Sequence, residues 1–307
     1  MTAPHGRVRV AAHAKVNLAL RVLAREESGF HQLETDFHRL ALHDDVVVAT
    51  RPGTGVSLRA DVDFGVAAER NLAVRAAHAY AAAAPWAAGV HVAIEIVKRI
   101  PMGGGLGGGS ADAGAVLRAL DALAPAPLGP DALVALATPL GADVPFLASE
   151  APRVLAWGRG ERMLALPALA GATVHLACFD AGVETAAAYD WLAAARAAAP
   201  EAPRAVRHDV AALATLAGVR AVATNAFEAP VAARRPDVAG VLSDWRAALA
   251  EDASIVLLSG SGATVFAVVA GDDAAREATL AAAAARHGAQ HVRTALLDRV
   301  AAPGRVA

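Results

Sequence analysis

Between residues 103 and 109 the chain carries six glycines and one leucine, in the run Pro101-Met102-Gly103-Gly104-Gly105-Leu106-Gly107-Gly108-Gly109-Ser110. Each glycine can reach positive φ and lets its backbone approach a ligand closely, but each also loses more freedom on folding than any other residue. Something must offset that loss, and the flanks indicate what. The alternating run His91-Val92-Ala93-Ile94-Glu95-Ile96-Val97 reads as a strand, while Val116, Leu117 and Leu120 form one apolar stripe at helical spacing with Ser110 as the N-cap. In a strand–loop–helix unit of this kind, free N–H groups and the positive end of the helix dipole face the loop, which makes a cradle for phosphate. The other reading, a flexible linker, calls for polar flanks rather than a strand and an amphipathic helix.

Two familiar nucleotide signatures fit less well. The P-loop needs Gly-Lys-Ser/Thr after its spacer, and no lysine follows these glycines. A dinucleotide fingerprint can be laid over Gly103, Gly105 and Gly108, but one match inside a glycine-saturated run has little weight.

At 307 residues the chain can bury a large core and is expected to form two domains, with the pattern changing near residue 158. The expected division is 1–158 and 159–307. Hydrophobic residues reach 56%, but much of this is alanine in runs such as 81–84 and 281–285, and no apolar stretch is long enough to cross a bilayer. Residues 1–9 lack the apolar core of a signal peptide, so a cytoplasmic protein is expected. A net charge of −2, with no Lys/Arg block interleaved with aromatics, gives no case for nucleic acid. A single cysteine, Cys178, excludes an internal disulfide and a cysteine-based zinc site. The chain has only two lysines, Lys15 and Lys98, and otherwise uses arginine for positive charge.

Residues 7–10 and 16–22 alternate as strands do, and Lys15 and Asn17, two apart, share one face. They form either a solvated edge or a cation and an amide offered together to a ligand. Phe30-His31 follows a turn at 26–29, and residues 40–48 read as a turn and then a strand. The histidines at 31, 38 and 43 suit no metal pattern. Asn71 caps a helix, and a second helix is predicted over 131–138. Asp143, in Gly141-Ala142-Asp143-Val144-Pro145, is either a turn former or a carboxylate held in a tight, partly desolvated setting. In the second half, helices are predicted over 186–199, 209–216, 238–250 and 274–286, and strands over 172–179, 254–258, 264–269 and 290–296. The small-residue turn Ser259-Gly260-Ser261-Gly262-Ala263 lies between two of these strands. The pattern is that of an α+β protein.

Lys15 with Asn17, the glycine loop with Ser110, and Asp143 together supply a phosphate cradle, a cation and a base, which is the equipment of phosphoryl transfer. An Asp–Lys pair also keeps an ionised carboxylate available, because the ammonium offsets desolvation.

The glycine run resembles the signature Pro-x-x-x-Gly-Leu-Gly-Ser/Gly-Ser of the GHMP kinase superfamily. Its form here is similar to that of the family of 4-diphosphocytidyl-2-C-methyl-D-erythritol kinases in the non-mevalonate isoprenoid pathway. The resemblance extends to Ala14-Lys15-Val16-Asn17-Leu18, Gly29-Phe30-His31-Gln32-Leu33-Glu34-Thr35, the segments 71–77 and 141–145, and the turn at 259–263, from about residue 8 to about 270. It implies a two-domain GHMP-kinase-like fold with the active site in the interdomain cleft, residues 1–158 binding ATP and 159–307 lying on the substrate side. It further implies that Asp143 deprotonates the acceptor's tertiary 2-hydroxyl for attack on the γ-phosphate of ATP, with Lys15 beside it. Residues 103–110, after Pro101 and Met102, would hold the phosphates, and Asn71 with Lys98 would lie beside the adenine. Asn17, Phe30, His31 and Thr185 would face the cytidylyl methylerythritol substrate, with His31 reading the cytosine edge. Mg2+ accompanies ATP in such a reaction, and Asp112 is placed either near that ion or simply at the helix N-terminus. No membrane or nucleic-acid partner is implied.

Phe30 stands where the family commonly has tyrosine, a change that keeps ring stacking and loses a phenolic hydrogen bond. Two rivals share the glycine loop. One is another small-metabolite kinase of the superfamily, of homoserine or mevalonate type; the other is a nucleotide-binding regulator that has lost the chemistry, against which Lys15 and Asp143 both stand.

Overall fold

The computed structural model describes residues 6–169, 171–199, 206–252, 254–271 and 273–306. The leader expectation for residues 1–9 thus falls largely outside the described residues. Strands β1 (Gly6–Arg25) and β2 (His31–Pro52) form one long antiparallel hairpin, followed by β3 (Val56–Ala60), helix α1 (Leu72–Ala83) and β4 (Val90–Val97). The glycine loop leads into α2 (Gly108–Leu123), then α3 (Pro130–Ala137), α4 (Val144–Ala148), β5 (Arg153–Gly158) and β6 (Arg162–Ala165). Next come β7 (Ala172–Cys178), α5 (Thr185–Ala198), α6 (Leu216–Val222), β8 (Thr224–Asn225), α7 (Glu228–Ala232) and α8 (Pro236–Ala248). The chain ends with β9 (Ile255–Leu258), β10 (Val265–Ala270), α9 (Ala274–Arg286), β11 (Gln290–Ala295) and β12 (Gly304–Arg305).

The larger sheet runs β12-β1-β2-β4-β3, with β5 continuing on β2, β6 on β5, and β8 parallel to β1. The smaller, fully antiparallel sheet runs β11-β7-β10-β9. This is the α+β architecture expected. The expected division at residue 158 falls inside the β5–β6 hairpin, and β8 and β12 return from the second half to the larger sheet.

Helix α2 is apolar almost all round, as a helix enclosed on several sides must be. It packs on β1, β2, α1 and α4, and residues 111–120 are all buried. Gly114 lets it approach α4 closely, since a Cβ there would stand 2.4 Å from the Leu147 carbonyl oxygen.

Three local expectations are corrected. Residues 40–45 form no turn, and β2 passes straight through them. Asp44 is buried, and its Oδ1 accepts the backbone N–H groups of Arg99 (2.6 Å) and Ile100 (2.8 Å) beyond β4. Ser110 is not the N-cap of α2. The left-handed backbone of Gly107 (φ +74°) turns the chain into the helix, so Ser110 occupies its third position. The predicted helix over 209–216 is only a 3-10 turn (Ala212–Ala214), because the Asp209 side chain accepts from Ala211 N–H and fixes a local turn. The true helix, α6, starts after Thr215, whose Oγ1 accepts from Gly218 N–H at 3.1 Å. Asn71 does cap α1, accepting from Ala73 N–H at 2.9 Å.

Candidate active site

Gly103, Gly105 and Gly107 sit at φ of +74°, +78° and +74°, so the loop depends on residues without a Cβ at alternate positions. The space around it is equally restrictive. A Cβ on Gly105 would stand 2.1 Å from the Ser259 carbonyl oxygen, and one on Gly104 would stand 2.4 Å from Thr264 Oγ1. The Ser259 hydroxyl donates to the Gly105 carbonyl (2.9 Å) and Thr264 N–H donates to that of Gly104 (3.2 Å). The two glycine-rich turns therefore pack on each other, although more than 150 residues separate them in sequence. From the other side, Lys15 N–H donates to the Leu106 carbonyl at 3.0 Å and fixes the loop to β1. Pro101 is partly buried and Leu106 buried, whereas Met102, Gly103 and Gly109 are exposed. Ser110 is partly buried at the start of α2.

Lys15 and Asn17 lie on an inner strand and are buried, which removes the solvated-edge alternative. The Lys15 ammonium donates to Asn17 Oδ1 at 2.8 Å and lies 3.4 Å from Asp143 Oδ2. Asn17 in turn donates to Thr35 Oγ1 (2.8 Å) and accepts from Gly260 N–H (3.1 Å), so its side chain holds both Lys15 and the second glycine turn. Asp143 sits at the N-cap of α4, yet its carboxylate makes no capping bond. Its side chain is 28% exposed while that of Lys15 is 3% exposed, so the couple has one face open to a ligand. A Cβ on Gly107 would touch Lys15 Cγ at 3.0 Å and Asp143 Oδ2 at 3.5 Å, which puts both charged groups at the end of the glycine loop.

Lys98 is enclosed behind the loop rather than open at its rim. Its ammonium is bonded to Asp44 Oδ2 and, at 2.8 Å, to Asp112 Oδ2, and its side chain is only 5% exposed. Burial pushes the Asp112 carboxyl up to about 7, despite the pull of Lys98. Asp112 thus serves this buried cluster, and its Oδ1 has no hydrogen-bond partner. Neither side chain is presented to a nucleotide in this conformation. The resemblance implied a place beside the adenine for Lys98, and for Asp112 one either near Mg2+ or simply at the helix N-terminus.

Phe30 is 57% exposed, and the Arg159 guanidinium covers its ring at 4.1 Å. Adjacent His31 faces elsewhere and stacks on Tyr189 of α5, with ring centroids 4.0 Å apart and planes 15° from parallel. Burial lowers the pKa of His31, so the ring is neutral at physiological pH and presents one donor and one acceptor. Tyr189 packs edge-on to Phe227 at 4.9 Å. Its hydroxyl is pushed up to about 12 by burial, with a smaller push from the Asp143 carboxylate. Thr185 opens α5 and meets Ser261 of the second glycine turn at 3.3 Å.

The structure thus brings together Lys15, Asp143, the glycine loop, His31 and Thr185, while Asn17 and Lys98 lie behind them. Tyr189 and Thr35 were not singled out from the sequence. Tyr189 is one of the chain's two tyrosines, a rarity that offered a signal; Thr35 offered none. Among the described residues no group of three or more His, Cys, Asp and Glu side chains converges to hold a metal ion. What the arrangement offers is a bare-backbone cradle, a fixed ammonium, an accessible carboxylate and an aromatic platform beside them.

Residues 71–150 match the family model described as the GHMP kinases N terminal domain. A curated 4-diphosphocytidyl-2-C-methyl-D-erythritol kinase of Deinococcus radiodurans is 41% identical over 280 residues, covering 90% of this chain and 88% of that protein. One of Parvibaculum lavamentivorans is 36% identical, covering 92% and 96%. A crystal structure of 4-(cytidine 5'-diphospho)-2C-methyl-D-erythritol kinase superposes with a TM-score of 0.69 at 34% identity, over 94% of this chain and 98% of that one. Similarity of this level over nearly the whole length of each relative means that the chain belongs to the 4-diphosphocytidyl-2-C-methyl-D-erythritol kinase family of GHMP kinases.

Proposed function

We propose that the protein transfers the γ-phosphoryl group of ATP to the 2-hydroxyl of 4-diphosphocytidyl-2-C-methyl-D-erythritol in the non-mevalonate isoprenoid pathway. The observation that carries this reading is the Lys15–Asp143 couple, 3.4 Å apart at the end of the glycine loop. It joins the naming of relatives that share nearly the whole chain.

Residues 103–110 take the triphosphate, with backbone N–H groups and the start of α2 facing it. The Asp143 carboxylate accepts the proton of the acceptor hydroxyl. The freed oxygen forms a bond to the γ-phosphorus, the bond from that phosphorus to the β,γ-bridging oxygen breaks, and ADP leaves. Lys15, held by Asn17, balances the charge that spreads over the transferring group. His31 meets the cytosine, with Tyr189 fixing its ring and Thr185 at the edge of the same pocket, while Phe30 lies under the Arg159 guanidinium. Asn71 lies on the adenine side.

The donor set suits an ion that arrives with its nucleotide, since the described residues offer no carboxylate cage of their own. Mg2+ would supply positive charge against the triphosphate, and the Ser110 hydroxyl at the start of α2 would help hold it. No helix among the described residues is long and apolar enough to cross a membrane. ATP and the acceptor are water-borne phosphorylated compounds, which is the ground for assigning the reaction to the cytoplasm.

The test offers purified protein ATP, Mg2+ and the cytidylyl methylerythritol alcohol, with homoserine and mevalonate in parallel, and follows ADP release and product mass. Phosphorylation of the cytidylyl alcohol alone is expected. Preference for either of the other alcohols, or ATP binding without turnover, would overturn the reading.

A further inference from the structure

Arg39 is buried, and among the described residues no carboxylate pairs with it. Burial brings its pKa down to about 9, which leaves it a cation at neutral pH. Such a group is costly to enclose, and one lacking a counter-ion must be held by directed hydrogen bonds. Its bonds go to one place. Nη2 donates to the carbonyls of Phe146 (2.7 Å) and Ser149 (2.8 Å), and Nε donates to that of Ala151 (3.0 Å). These are the carbonyls at and just beyond the C-terminal end of α4, where a cation also meets the negative end of the helix dipole.

The opposite end of α4 carries Asp143. A helix of five residues has almost no stability of its own, so contacts outside it must fix its position. Lys15 stands opposite Arg39 in the β1–β2 register and Asn17 opposite Phe37, which puts all four side chains on one face of the sheet. Phe146 of α4 lies on that face. The Arg39 guanidinium covers the Phe146 ring at 4.8 Å, and Phe146 stacks on Phe37 at 5.2 Å with planes 4° from parallel. The Lys15 ammonium lies 5.5 Å from the centre of the Phe37 ring. A continuous column, Arg39–Phe146–Phe37–Lys15, therefore runs beneath the couple that meets the acceptor hydroxyl.

We propose that Arg39, acting through the Phe146–Phe37 ring pair, is a positioning residue for phosphoryl transfer: it ties the C-terminal end of α4 to β2 and thereby holds Asp143 opposite Lys15. The proposal rests on the role given above to that couple. Arg39 touches neither nucleotide nor acceptor and acts on the rate only through the placement of α4.

The test compares the parent enzyme with Arg39→Met, Arg39→Lys and Phe37→Leu, reading kcat and both KM values, the melting temperature, and backbone hydrogen exchange over residues 143–149 and over α2. In Arg39→Met, kcat per folded enzyme is expected to fall about 10- to 100-fold, the scale of a small misplacement of a reacting group. The KM for ATP stays unchanged, and exchange rises over 143–149 but not over α2. Arg39→Lys keeps a donor for the carbonyls and recovers most of the lost rate. Phe37→Leu leaves every Arg39 bond in place, and it too lowers kcat without raising the KM for ATP; it carries the test if Arg39→Met does not fold. Parental kcat in the folded variants, a KM for ATP that rises in step with the loss, or no recovery by lysine would overturn the proposal. Exchange needs no substrate. A parent enzyme that leaves the cytidylyl alcohol untouched therefore counts against the assigned reaction, while unchanged exchange at 143–149 in Arg39→Met counts against the positioning role.

Discussion

Replacing Gly107 by alanine adds one methyl group where the backbone is left-handed and where that methyl meets the two charged residues of the couple. The backbone term comes first. At φ +74° a residue with a Cβ is strained by about 1–2 kcal/mol. The methyl also stands 3.0 Å from Lys15 Cγ and 3.1 Å from Lys15 Cε, closer than ordinary contact. The Lys15 side chain is 3% exposed and held by Asn17, so overpacking adds about 1–3 kcal/mol. The sum is about 2–5 kcal/mol lost in urea unfolding. Displacing the Lys15 stem also moves its ammonium from Asn17 and Asp143, and kcat should fall on the order of 100-fold. Gly109→Ala serves as the control. That residue lies in the first turn of α2 with φ outside the left-handed range, and its Cβ would meet only Leu72 Cδ1 at 3.9 Å. The control should keep or gain stability, by up to about 1 kcal/mol in the nucleotide-free protein. Urea titration and steady-state kinetics on both variants decide the matter. If Gly107→Ala unfolds at the parental urea concentration and turns over normally, the contact with Lys15 is not what constrains this position.

Asp143→Asn keeps the shape of the side chain and removes the base, so kcat should drop by about 100-fold or more while calorimetric ATP affinity stays near parental. Tyr189→Ala removes the ring against which His31 is stacked. Because a ring pair contributes about 0.5–1.5 kcal/mol, the KM for the cytidylyl alcohol should rise up to about tenfold with kcat less affected. The Asp112 carboxyl is raised from an ordinary 3.8 to about 7 by burial, so the folded chain holds a proton that the unfolded chain releases. Its contribution to stability is therefore lost as pH climbs from about 4 to about 7. Asp112→Asn cannot ionise, and its melting temperature relative to the parent should improve steadily over that window. A constant difference across it would show that the carboxyl titrates normally.

The parts of this protein that could be read from the sequence are those whose chemistry is local. The six glycines between a strand and a helix announced a strand–loop–helix unit, and Lys15 and Asn17 shared a face because strand geometry places residues two apart on the same side. Asn71 was legible as a cap because its acceptor is two residues away. Local chemistry also misled where distant partners intervened. The start of 40–48 read as a turn, yet β2 runs through it and Asp44 finds its partners in Lys98 and the N–H groups of Arg99 and Ile100, more than 50 positions along the chain.

The sequence by itself determined which groups exist and where the backbone must lack side chains, because glycine spacing, capping and strand alternation act over a few residues. Only the tertiary structure decided which charges are exposed. It opened Asp143 to a ligand, enclosed Lys98 and Asp112 behind the loop, stacked His31 on Tyr189, and set Arg39 beneath α4. The physical reason is that desolvation and ion pairing depend on what the folded chain packs around a group. For each of these residues the deciding neighbours come from other elements of the fold.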